Sequence, residues 1–156
     1  MEAEDVRFDA EDGRSLAATV YRPAEPHTAL LISSGTGIPR GFYRRFASFA
    51  ADRGFLVLTY DFRGIGDSAP DDLARSEAVY RDWGQLDMPG AITWLRAQAP
   101  ELPLCAVGHS TGGQQLGLAH NHHEVHAALF VAVSTGYWRG MPFRMKWFSF
   151  FLWNVL

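Results

Sequence analysis

Cysteine is almost absent from this chain of 156 residues: Cys105 stands alone. That excludes an internal disulfide and any metal site built from several cysteines, and it fits a reducing compartment. Positive charge is not in excess either. Fourteen Lys plus Arg face seventeen Asp plus Glu, a net charge of -3, so nothing in the balance invites nucleic acid or an anionic lipid surface. The opening MEAEDVRF is acidic and has no basic region followed by an apolar run. No secretory signal is therefore visible, and a cytoplasmic location is expected. No apolar run approaches the roughly twenty residues of a membrane-spanning helix, and neither an internal repeat nor a low-complexity tract interrupts the chain. What is present is 47% hydrophobic and 13% aromatic residues. Such a composition supports a real core, within one domain or part of one.

The punctuation of the chain predicts alternating strands and helices. Val6–Asp9 and Ser15–Tyr21 flank the polar turn Glu11-Asp12-Gly13-Arg14 and read as a hairpin stopped by Pro23. Ala29–Ser33 and Phe55–Tyr60 are short apolar runs of the kind buried on both faces of a parallel sheet. Between them, Phe42, Phe46, Phe49 and Ala50 recur at helical spacing from Gly41 to Arg53, with Gly54 at the position of a helix C-cap. A helix is expected from Asp87 as N-cap to about Gln98, with Pro89 tolerated in its first turn. Leu102–Val107 reads as a third buried strand, Thr111 to about His120 as a helix, and Val125–Val133 as a fourth strand. The alternation implies a mostly parallel α/β sheet with helices on both faces.

At the end of the third buried strand stands Gly108-His109-Ser110-Thr111-Gly112-Gly113, a G-x-S-x-G between strand and helix. A serine on so sharp a turn is held in a strained conformation that exposes its oxygen, and the flanking glycines let strand and helix approach. The Thr111 N–H and the start of the helix face the space where an oxyanion would form in acyl transfer. The competing reading is a glycine-rich turn with an ordinary N-cap serine. Tyr60-Asp61-Phe62-Arg63-Gly64-Ile65-Gly66-Asp67-Ser68 follows the second buried strand at the same C-terminal sheet edge, where open α/β sheets bind ligands.

These segments, together with Ser34-Gly35-Thr36-Gly37, resemble the α/β-hydrolase superfamily. With Phe42-Tyr43-Arg44-Arg45-Phe46 and Tyr137-Trp138, the chain looks more narrowly like predicted bacterial α/β-hydrolases near the serine aminopeptidase-like branch. The resemblance implies Ser110 as nucleophile, with the Thr111 amide as one half of an oxyanion hole and Thr36 as the other. Gly108 and Gly112 then frame the elbow, while Asp61, Arg63, Gly64 and Gly66 belong to a structural signature. An acyl compound of small size is the implied substrate, and no cofactor is implied.

The family's triad continues with an acid and then a histidine. Here Ser134-Thr135-Gly136-Tyr137-Trp138 carries no carboxylate, and no histidine follows His126. The chain thus reads as residues 1–136 of a hydrolase core followed by the start of a lid at 137–156, the first part of a protein of roughly 250–300 residues. Ala127–Val133 becomes an uncovered edge, so self-association through it and through the aromatic tail Met145–Leu156 is expected. The activity expected is hydrolysis of an ester, thioester or amide; the alternative is a silent fragment or interaction module that keeps the fold. His109 and His27 are poor substitutes for the base, the first pointing away from the serine and the second at the opposite sheet edge. His120, His122, His123 and His126 with Glu124 miss the spacing of H-x-H-x-D-H, since position 125 is valine. No metal site is expected, and Cys105 reads as a small buried strand residue.

Overall fold

The computed structural model describes residues 2–72, 76–134 and 142–147. The N-terminal hairpin pairs β1 (Glu2–Asp9) with β2 (Ser15–Arg22), and the polar turn places Gly13 at a φ of 77°. Four further strands follow: β3 (Thr28–Ser33), β4 (Phe55–Tyr60), β5 (Leu104–His109) and β6 (Ala127–Val131). Their spatial order is β1-β2-β4-β3-β5-β6. The hairpin joins antiparallel through β2 and β4, and all later neighbours are parallel. Central β3 and β4 bury nearly every residue, as their continuous apolar runs predict.

Helices cover the two faces. On one, α2 (Met88–Gln98) buries Met88, Ile92 and Leu95 against Leu31, Leu58 and Leu104. It enters through a wide turn at Trp83–Asp87, and Gly90 leaves room for the Asp9 carbonyl, which a Cβ would strike. Asp87 stands at the N-cap position expected, but its carboxylate makes no capping bond and instead binds Arg63. The other face is covered by α1 (Arg44–Ala51), preceded by a tight turn at Arg40–Tyr43. There only Ala50 of the expected apolar stripe is buried. Tyr43, Ala47, Ala50 and Ala51 are buried, whereas Phe42 and Phe49 are 69% and 52% exposed. Alanines bring the helix axis close to Leu30 and Val57, and that approach leaves the large rings on its flank.

Two other expectations shift. Helix α3 (Thr111–Leu116) stops well before His120. Strand β6 has all five residues exposed, the uncovered edge expected of Ala127–Val133, whereas Cys105 on neighbouring β5 is half-buried and not fully buried as expected. The tail from 148 onward and residues 135–141 lie outside the described residues, so of the segment 137–156, expected to begin a lid, only 142–147 are described.

Candidate active site

Strand β5 runs straight into the serine turn. Ser110 has φ 51° and ψ −115°, a conformation costing on the order of 1–3 kcal/mol for a residue with a side chain. Three hydrogen bonds hold it there. Its N–H donates to the Val131 carbonyl at 2.9 Å, and its carbonyl accepts from Gly113 and Gln114 at 3.1 and 3.3 Å. The glycines are required by packing: a Cβ on Gly108 would collide with Gly113, and one on Gly112 with the Ser33 carbonyl. Helix α3 therefore lies directly against the ends of β3 and β5.

The loop after β3 comes to meet this turn. Exposed Thr36 hydrogen-bonds through its hydroxyl to that of buried Thr111. The Tyr80 hydroxyl lies 3.0 Å from both Thr111 Oγ1 and Gln114 Oε1, and Gln114 Nε2 donates to the Ser134 carbonyl at 2.7 Å. The structure thus brings Ser110, Thr36 and Thr111 together at one spot.

Asp61, Arg63, Gly64 and Gly66 sit at the same sheet edge as supports. Fully buried Asp61 accepts the Arg40 N–H at 2.6 Å and the Asp67 N–H at 3.0 Å, and pairs with the Arg40 guanidinium. Gly66, at φ 50°, passes so near Asp61 that a Cβ would strike the carboxylate. Arg63 is buried between Asp87, at 2.7 Å, and Asp12, at 3.0 Å, while Trp83 Nε1 donates to its carbonyl. Gly64, at φ 82°, turns the chain between the two networks. Burial pushes the Asp87 carboxyl up against the opposing pull of Arg63. Burial also acts upward on Asp12, but hydrogen bonds and charge from Arg63 outweigh it and hold that carboxyl below the usual range.

The histidines are placed elsewhere. His27 Nε2 lies 2.8 Å from the Arg53 carbonyl at the N-terminal edge, His109 Nδ1 is 2.7 Å from the Tyr43 hydroxyl, and His126 Nδ1 accepts from the Leu104 N–H. His120 faces Glu11, His122 bonds the Ala119 carbonyl, and His123 packs on His122. Among the described residues no group of three or more His, Cys, Asp or Glu is arranged to hold a metal. A cavity of about 500 Å³ opens beside Thr19, Tyr21, Arg40, Arg44 and Asp67, away from Ser110.

Sequence reasoning passed over Tyr43, Tyr80 and the Asp61–Arg40 link. Tyr43 had a signal, since Tyr43, Ala47 and Ala50 repeat at helical spacing as well as the phenylalanines do; Tyr80 had none.

A strained serine between the fifth strand and the next helix, on a sheet ordered in this way, defines the α/β-hydrolase fold. Over residues 24–156 the chain matches the model of the family described as serine aminopeptidase, S33, and it belongs to that family. Among solved structures it is similar to the alpha/beta hydrolase GrgF from Penicillium sp. sh18, with 27% identity and a TM-score of 0.72 over 85% of this chain and 46% of the other. A carboxyl esterase from Bacillus coagulans is 22% identical with a TM-score of 0.71, over 83% of this chain and 44% of that one. An a/b serine hydrolase without lid from Xanthomonas campestris is 22% identical at 0.71, over 88% and 64%. The chain spans about half the length of the first of these structures. No curated protein matches it. Among the described residues no helix is long and apolar enough to cross a membrane.

Proposed function

We propose that the chain carries the nucleophile half of a serine hydrolase acting on an ester, thioester or amide of a small acyl compound. The observation that carries the reading is the backbone of Ser110, at φ 51° and ψ −115° between β5 and α3. Such strain persists where function rewards it, by aiming the hydroxyl out of the sheet edge. In the proposed reaction Ser110 Oγ attacks the acyl carbon, its proton passes to a base, and the leaving group departs to give an acyl-serine that water hydrolyses. The amides of Thr36 and Thr111 stabilise the oxyanion; the meeting of their side chains supports this pairing. Residues 1–136 then form the core, and 137–156 begin a lid. The lone cysteine also supports a cytoplasmic location, where thiols stay reduced.

The placement of the six histidines favours a second reading, a chain that keeps the fold without the chemistry. Without a base a serine hydroxyl is a weak nucleophile, and losing one triad member costs several orders of magnitude. Labelling with a fluorophosphonate probe separates the two. Covalent labelling abolished by Ser110→Ala establishes an activated serine; a folded chain that stays unlabelled supports the second reading.

A further inference from the structure

We propose that Tyr43 and His109 are positioning residues that lock the two halves of the oxyanion site to one another, an assignment resting on the reading of Ser110 above. The Gly35 N–H donates to the Tyr43 hydroxyl oxygen at 3.1 Å, and the same oxygen lies 2.7 Å from His109 Nδ1. Tyr43 has one hydroxyl proton to give. With the Gly35 amide on its acceptor side, that proton is available to Nδ1, and the two groups share one hydrogen bond. Burial raises the Tyr43 hydroxyl above its ordinary pKa, which keeps it protonated as the donor.

The bridge matters because of what its ends adjoin. Gly35 precedes Thr36 on the loop after β3, and His109 precedes Ser110 and Thr111 on the elbow. These two segments come from different strands and share no covalent link closer than the whole chain between them. Their relative placement is set by non-covalent contacts alone. The Tyr43 and His109 rings meet edge to face, 6.0 Å between centroids and 73° between planes. His109 also lies against Gly35 so closely that a Cβ there would stand 3.4 Å from Nδ1. At its far end the same loop is pinned by Asp61 on the Arg40 N–H. Between those two fixed points the Thr36 amide is held within the tolerance that oxyanion stabilisation requires, where a displacement of about 1 Å costs on the order of a hundredfold in rate.

The bridge predicts a pattern among three variants. Tyr43→Phe keeps the ring and removes the bond; His109→Phe removes the acceptor; His109→Asn keeps an acceptor near the position of Nδ1. Two readouts are taken on the full chain: amide hydrogen exchange at Gly35 and Thr36, which needs no catalysis, and the rate of Ser110 labelling by the fluorophosphonate. Tyr43→Phe and His109→Phe are expected to speed exchange at both amides and slow labelling, each by about tenfold. His109→Asn is expected to stay near the parent, and Tyr43→Phe added to His109→Phe to cost nothing further. Unchanged exchange in Tyr43→Phe, unchanged labelling despite faster exchange, or equal damage from His109→Asn and His109→Phe overturns the proposal. If Tyr43→Phe fails to fold, the His109 pair decides on the same criteria. Exchange that follows the pattern in a chain whose Ser110 is never labelled leaves the bridge standing and removes the nucleophile reading instead.

Discussion

The interior of the sheet and its β6 end are built to different standards. At the β2–β4 side, strand faces are buried and the loops beyond them are closed by ion networks in which Asp61 and Asp87 are wholly inaccessible. At the β6 end every strand residue is exposed, with Leu129 at 57% and Phe130 at 53%. The serine turn lies at the seam, rising from well-packed β5 but hanging its amide on Val131 of β6. The difference teaches that the fold is fixed by the first five strands, while the geometry of the elbow also depends on the strand with least packing of its own.

The contrast can be broken most severely at Arg63. Removing its guanidinium leaves buried Asp87 uncompensated, so Arg63→Leu is expected to destabilise the chain by about 3–5 kcal/mol in urea unfolding. Next, the same truncation in the two regions should read differently. Leu58→Ala in the core is expected to cost about 2–5 kcal/mol, and Leu129→Ala on β6 within about 0.5 kcal/mol. Equal losses at the two sites would mean that β6 is covered in solution. A sharper version concerns association: the isolated chain should sediment as more than a monomer, and Leu129→Lys with Phe130→Lys should return it to monomer, since charge on an edge strand opposes pairing. A monodisperse parent overturns that expectation.

The smallest effect is a pH dependence at Asp12. Its carboxyl is held below the usual range when folded, so below that range the unfolded chain binds more protons. The stability it contributes is present at neutral pH and lost as pH falls. Asp12→Asn should therefore lower the thermal midpoint slightly at pH 7, with the difference vanishing in acid. A constant difference across the range would assign the effect to packing.

Much of this was legible in the chain itself. Short apolar runs bounded by Pro23, Gly54 and the Ser34–Gly37 loop marked the buried strands, because a strand covered on both faces tolerates no polar alternation. Gly108, Gly112 and Gly113 marked the elbow, because only the absence of Cβ permits the contacts with Ser33 and between strand and helix. The face of α1 was misread because Tyr43-Ala47-Ala50 and Phe42-Phe46-Phe49 share one periodicity, and the choice between them was made by how near a helix can approach the sheet. Asp87 was placed correctly at the N-cap, but the role of its side chain was not legible, because its partner Arg63 lies 24 residues away in sequence. Partners such as His109 and Tyr43 are separated by 66 residues, a relation no local pattern records.

The crossed strand order has a consequence in time. Ala29 of β3 pairs with Leu56 on one side and with Leu104 on the other. The second partner is made about 75 residues after the first strand leaves the ribosome, at 5–20 residues per second a wait of about 4–15 s. Throughout that interval Leu30, Leu31 and Ile32 present one open edge of what becomes the centre of the sheet. A strand at the centre of the finished sheet is thus the one longest at risk during its birth.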